Sequence, residues 1–188
     1  FISEHIHGEH VHFDVGGRLE RQTIDVSGGD YNDIATSLAV GAIWTINGRN
    51  SLLLSLQRTE RHPNATELYS NGPHLATSQF EVGDPDLGLD TAYGADITFR
   101  HENDDWSAAA SVFYTYFDNY IFAADSGMEE DGLSVFNYTE VEALFYGVEL
   151  ELDYLLYQSA DTRLSVGLLA DYVRARNEDD NNDLPRIP

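Results

Sequence analysis

Two stretches of this chain concentrate side chains able to hold a metal ion. "EHIHGEHVH" sets His5, His7, His10 and His12 within eight positions. In an extended chain, residues two apart point the same way. His5 with His7, or His10 with His12, can therefore offer two imidazole nitrogens to one zinc or copper ion. Glu4 and Glu9 could complete a tetrahedral set, whereas Gly8 suits a solvated turn between two strands. In the second stretch His62 and His74 stand among Glu60, Glu67, Glu81, Asp84 and Asp86. That mixture of nitrogen and oxygen donors suits a borderline metal such as zinc, and either histidine could instead ligate haem iron. A third run, "NEDDNNDL", has the carboxylates of a calcium site but lacks the Gly and terminal Glu of an EF-hand loop, and reads as a solvated surface loop. No Gly-rich phosphate loop, Gly-x-Ser-x-Gly elbow or His-Glu-x-x-His occurs, so nothing points to an enzyme.

The elements that must position these residues are strands. "IATSLAVGAIWTI" puts Leu38, Val40, Ala42, Trp44 and Ile46 on one side and Ser37, Ala39, Gly41 and Thr45 on the other. "YGADITFR" alternates Tyr93, Ala95, Ile97 and Phe99 with Gly94, Asp96, Thr98 and Arg100. "LFYGVELELDYLLY" lines Leu144 to Leu156 on one face against Glu149, Glu151 and Asp153, three carboxylates that a dry core would not accept. "RLSVGLLADYV" and "HVHFDVGGRLERQ" follow the same rule. In "WSAAASVFYTYFDNYIF", Phe113 and Phe117 fall opposite Trp106, Val112, Tyr114 and Tyr116, which leaves its facing open and suggests a bulge.

Connections alternate in length. "NGRN" at 47–50, "HENDD" at 101–105 and "QSADT" at 158–162 are tight polar turns, whereas 26–33, 60–90, 123–136 and the tail after 176 read as longer connections. Trp44, Trp106, Tyr154 and Tyr157 lie near the short turns, where an interfacial aromatic girdle would fall. Long antiparallel strands with one apolar and one charged face, short turns at one end and long loops at the other match an outer-membrane barrel. Composition agrees. Ten basic against 33 acidic residues, a formal net charge of −23, argues against a nucleic-acid partner and attracts cations. No apolar run is long enough for a membrane helix, and without cysteine neither a disulfide framework nor a thiolate metal site is available.

The stretch "ERHPNATELYSNGPHLATSQFEVGDPDL" resembles TonB-dependent outer-membrane receptors, particularly the zinc or haem receptor branch. Arg61, Pro63, Glu67, Leu68 and Tyr69 carry the first part of the likeness. Gly72, Pro73, His74, Phe80, Glu81, Gly83, Asp84, Pro85 and Leu87 carry the second, and Asp90 departs from the Glu more often found before the next strand. The resemblance implies an all-β antiparallel meander of about eight long strands, roughly a third of a barrel of about 22 strands. Residues 1–188 are thus expected to be one partial barrel domain of a longer protein, with the plug domain and terminal strands outside it. Alone, it would bury its apolar band by self-association or by curling into a sandwich or small barrel.

The function so implied is energy-coupled uptake of a zinc, haem or iron species across the outer membrane of a Gram-negative bacterium. Its partners would be the TonB energy-transducing complex, engaged through the plug, the surrounding lipid and the cargo, with no cofactor required beyond zinc or haem as cargo. In this branch the loop resembles part of the external mouth, making His62 or His74 the preferred ligand, with Glu67, Glu81 and Asp84 nearby. Gly72 with Pro73, and Gly83–Pro85, suit two chain reversals, and Leu68, Tyr69, Leu75 and Phe80 suit packing within a folded excursion. Two other functions fit the same residues. One is an outer-membrane barrel hydrolase using surface carboxylates with His62 or His74; the other is a secreted β-sandwich that binds metal or sugar.

Overall fold

The computed structural model describes residues 1–26 and 29–185. Ten strands and one short helix follow in the order β1 (Ile2–His7), β2 (Val11–Val26), β3 (Gly29–Asn47), β4 (Asn50–Arg61), α1 (Ala65–Tyr69), β5 (Asn71–His74), β6 (Gln79–Val82), β7 (Asp90–Glu102), β8 (Trp106–Glu130), β9 (Leu133–Gln158) and β10 (Arg163–Asn177). The eight long elements form one antiparallel meander, β1-β2-β3-β4-β7-β8-β9-β10. The sheet is open, with β1 and β10 each paired on one side, so the chain neither closes into a small barrel nor divides into a sandwich.

Register settles the two faces. Val40 lies opposite Val15 and Leu56, Leu56 opposite Ala95, Ile97 opposite Val112, Val112 opposite Val148, and Leu152 opposite Leu168. One continuous apolar face results, and its side chains are exposed: Leu38, Leu56, Val112, Leu150 and Leu168 each show more than half their surface. A free-standing soluble sheet would not leave such a face bare; against hydrocarbon it is satisfied. The other face carries Asp14, Asp96, Glu149, Glu151, Asp153 and Asp171. Phe113 and Phe117 belong to this polar face, opposite Asp96 and Ala92, while Trp106, Val112, Tyr114 and Tyr116 face outward. The suspected bulge falls directly after Phe117.

Both ends of the apolar band carry aromatic side chains. Trp44, Trp106 and Tyr154 lie next to the short turns, with Trp106 opposite Tyr154 and stacked on His101 at 4.1 Å between ring centroids. Toward the other end, Tyr93 pairs with Tyr116, and Tyr146 and Tyr172 take corresponding places on β9 and β10. These tyrosines stand where the second aromatic girdle of a membrane barrel would fall.

Two of the connections expected to be long are prolonged hairpins. The β2–β3 ladder continues to Val26 opposite Gly29, so most of 26–33 is strand; residues 27 and 28 lie outside the described residues. Likewise β8 and β9 stay paired to Glu130 opposite Leu133. Their tip is Asp131 (φ 51°) and Gly132 (φ 78°), two successive left-handed residues that match the twist of a tight hairpin. Among the connections between described strands, residues 62–89 leave the meander for a long excursion.

Candidate functional site

The excursion begins and ends on one ion cluster. Arg61 closes β4 and Asp90 opens β7, directly opposite each other. The Arg61 guanidinium donates to Asp90 Oδ2 at 2.8 Å through Nη2 and to Glu67 Oε2 at 2.8 Å through Nη1. Both carboxylates are nearly buried while Arg61 is half exposed, so one cation holds two anions that would otherwise lose water without compensation. Asp90 lies beyond the outer tyrosine girdle; burial holds its carboxyl above the usual carboxylate range, against the pull of Arg61.

Within the excursion Asn64 starts α1. Its Oδ1 accepts from the amides of Thr66 and Glu67, and Glu67 Oε2 accepts the Asn64 amide in return, a reciprocal capping box. Glu67 therefore both caps the helix and ties it to Arg61. Leu68 is 1 % exposed and packs with Leu87 and Ile121, flanked by Ile24, Tyr31, Tyr69 and Tyr138. Gly83 crosses the end of the helix so closely that a Cβ there would lie 2.6 Å from the Leu68 carbonyl carbon and from the Tyr69 nitrogen. Two backbone hydrogen bonds clamp that crossing, Gly83 N–H to Ser70 O at 2.7 Å and Asp84 N–H to Glu67 O at 2.9 Å.

From this knot the chain runs out as the hairpin β5–β6, and β6 pairs in parallel with β9 from Gln79 opposite Ser134 to Val82 opposite Asn137. The excursion thus spans from β2 and β3, where Gln22 Nε2 donates to the Pro63 carbonyl at 3.0 Å, to β9. Gln22, Ile24, Tyr31, Arg61 and Asp90 all belong to the polar side of the sheet by register. Gly72 and Pro73 lie within β5 rather than at a reversal, which falls at 75–78 instead. Leu75, on that tip, is 84 % exposed, so it does not pack inside as expected; Phe80 does. The β8–β9 hairpin supports the excursion with one side, through Ile121, Tyr138 and Glu140, whose carboxylate accepts the Gly88 amide at 3.1 Å. Its other side, through Tyr120, Phe122 and Val141, joins Phe117, Phe145 and the tail's Leu184.

The candidate ligands are divided rather than gathered. His62 is buried: Tyr31 Oη donates to its Nδ1 at 3.0 Å, and its Nε2 donates to the Glu20 carbonyl at 3.3 Å, which occupies both nitrogens. Burial first, and Asp33 second, push the Tyr31 hydroxyl up to about 12, so it stays a donor. His74, on β5, is half exposed; its Nδ1 lies 2.9 Å from Thr77 Oγ1 and 3.2 Å from the buried Glu81 carboxylate. Glu81 in turn accepts from Tyr138 Oη at 3.2 Å. Asp84 Oδ1 accepts the Asp86 amide in a local turn, and Glu60 is taken up by Thr36 and Arg58. At the short-turn end His5, His7 and His12 share one face of β1–β2, with His10 in the turn. Among the described residues, no three His, Asp or Glu side chains are preassembled around a metal position.

Sequence reasoning missed the helix cap at Asn64, although Asn-x-x-Glu followed by Leu-Tyr is its written signal. It also missed the tie from His62 to Tyr31, which no local pattern encodes.

The whole of residues 1–188 matches the family described as TonB dependent receptor-like, beta-barrel. Among solved structures, the chain is similar to the copper transporter OprC, at 21 % identity and a TM-score of 0.79 over 97 % of this chain and 28 % of that one. It is also similar to the FrpB iron transporter from Neisseria meningitidis (F5-1 variant; 15 % identity, TM-score 0.66, 98 % and 26 % covered). A third likeness is the siderophore receptor PirA from Pseudomonas aeruginosa (17 % identity, TM-score 0.55, 87 % and 36 % covered). The chain thus spans 26–36 % of the length of these structures, and at such identities the likeness concerns the fold. With the family match covering every residue, and its open meander agreeing, the chain belongs to the TonB-dependent receptor β-barrel family.

Proposed function

We propose that this chain is a wall section of an outer-membrane receptor of a Gram-negative bacterium that takes up a metal ion or metal chelate. Energy would come from the TonB complex, acting through a plug domain. The observation that carries this reading is the 62–89 excursion: a prefolded element at the long-loop end, pinned by Arg61 and Gly83, seated on polar-side residues of β2, β3, β4 and β7, and extended to β9. Short turns face the periplasm in such barrels, so the excursion lies at the cell surface, where cargo arrives. Preorganisation of that kind lowers the ordering cost of binding. Of the two histidines in the excursion, we assign cargo contact to His74, the one with an exposed ring, with Glu81 behind it. Zinc, haem and an iron chelate are the cargoes to compare, with copper added because OprC is a copper transporter.

The hydrolase alternative is less well supported, because both nitrogens of His62 are already engaged, and at His74 the Thr77 hydroxyl and the Glu81 carboxylate meet the same ring nitrogen, Nδ1, instead of the two different nitrogens that a nucleophile and its orienting carboxylate need. The test is accumulation of labelled zinc, copper, haem and ferric chelate by cells with and without the receptor, before and after the proton gradient is collapsed. The proposal expects one cargo to accumulate in a receptor-dependent, gradient-dependent way. Equal accumulation in the deletion strain for every cargo, or uptake indifferent to the gradient, would overturn it.

A further inference from the structure

We propose that the inner wall beside the first short turn binds a divalent transition-metal ion, Cu²⁺ or Zn²⁺, through His7 and His12, with His5 as a third ligand. The turn itself sets the geometry. Gly8 N–H bonds to Val11 O at 2.9 Å, and a Cβ on Gly8 would lie 2.7 Å from that oxygen, so the close turn requires glycine. This fixes the register that puts His7 directly opposite His12 and His5 directly opposite Asp14. All four belong to the polar face of the sheet.

Three features point to a cation. The His7 and His12 rings are 5.2 Å apart between centroids, near enough for one ion to bridge two nitrogens after a small ring rotation. His12 Nδ1 is buried without a hydrogen-bond partner, a state that few buried polar atoms occupy and that ligation would relieve. His5 donates its Nδ1–H to the Asp14 carboxylate, the second-shell arrangement that fixes the tautomer and leaves Nε2 to bind metal. Neutral imidazoles select Zn²⁺, Cu²⁺ and Ni²⁺ over hard cations. His7 and His12 supply two ligands at once and His5 joins from the next rung, so water completes the shell. Such a site binds weakly enough to release its ion, as a passage requires.

The site lies at the end of the barrel wall opposite the excursion. Its role, catching ions that leave the lumen on the periplasmic side, rests on the proposed transport; binding itself does not. The experiment therefore reads binding, with purified full-length receptor in detergent titrated with Cu²⁺ and followed by electron paramagnetic resonance. Hyperfine coupling to at least two imidazole nitrogens is expected, and H7N/H12N should abolish it. D14N, which spares every ligand, should weaken Cu²⁺ binding about 10–100-fold. H7A alone should weaken it at least as much while circular dichroism stays that of a folded barrel. An unchanged spectrum and affinity in H7N/H12N and H7A, or no nitrogen-coupled Cu²⁺ in the wild type, would overturn the site. Copper bound at these histidines in a receptor that transports no metal would leave the site standing and remove only the transport reading.

Discussion

Gly72 and Gly83 both belong to the segment that resembles the receptor family, yet the structure assigns them opposite sensitivities. An added Cβ at Gly83 would stand 2.6–2.8 Å from three backbone atoms of Leu68 and Tyr69. That is about 1 Å inside the ~3.5–4.0 Å optimum for non-bonded carbon contacts, and backbone cannot rotate away as a side chain can. The cheapest relief is to open the clamp, at about 0.5–1.5 kcal/mol for each of its two hydrogen bonds, with part of the Leu68 burial lost as well. Gly83→Ala should thus weaken docking of the excursion by about 2–4 kcal/mol, an increase of about 30- to 700-fold in its opening equilibrium.

Nothing lies within 4 Å of the corresponding point on Gly72, so Gly72→Ala should stay within about 0.5 kcal/mol of the parent. Gly29 is intermediate: its Cβ would meet the Tyr69 ring at 3.1 Å, which a small ring shift relieves. Hydrogen exchange read by mass spectrometry on full-length receptor in detergent separates these cases. Gly83→Ala should accelerate exchange in peptides covering 64–87 and leave β2–β4 and β8–β9 protected, whereas Gly72→Ala should change neither. Equal behaviour of the two variants, or loss of protection throughout the barrel in Gly83→Ala, would refute the clamp.

Arg61→Ala leaves two nearly buried carboxylates facing each other without their cation; discounted for the half-exposed guanidinium, the cost is about 1–3 kcal/mol, seen as faster proteolysis between 62 and 89. Leu150 lies midway between Tyr146 and Tyr154 on the apolar face, so Leu150→Lys should lower folding stability in vesicles by about 2–4 kcal/mol in urea titration. Glu151→Lys, one residue on and facing the polar side, should cost far less. An isolated 1–188 fragment in water should self-associate in light scattering, because Leu38, Leu56 and Leu168 would stay bare and both sheet edges would remain open.

Much of this fold was legible because a barrel wall imposes one rule on every strand. Alternation placed Leu144, Val148, Leu152, Val166 and Leu168 on a common face, and the register bears that out. Trp44, Trp106 and Tyr154 marked one membrane boundary for the same reason. The opposite boundary was hidden because Tyr93, Tyr116, Tyr146 and Tyr172 sit inside their strands rather than beside a turn. Residues 26–33 and 123–136 looked like loops because strands outside the lipid need no apolar residues, and alternation fades there although pairing continues. Within the excursion, composition showed which residues could fold on one another but not how. Gly72–Pro73 resembles a turn by residue type, yet β6 binding to β9 draws that segment straight. His62 and His74 looked equivalent by type, and only tertiary placement separates a doubly bonded buried ring from an exposed one.

The chain contains no cysteine, which opens the division of its two faces to a direct measurement. Single cysteines introduced in turn from Val148 to Tyr154 on β9, spin-labelled in full-length receptor that is otherwise free of cysteine and held in vesicles, report contact with oxygen dissolved in lipid and with a water-soluble nickel complex. Val148, Leu150, Leu152 and Tyr154 should favour oxygen, and Glu149, Glu151 and Asp153 the nickel complex, in strict alternation. Accessibilities without a period of two, or with the glutamates on the oxygen side, would contradict a wall that meets lipid on one face and water on the other.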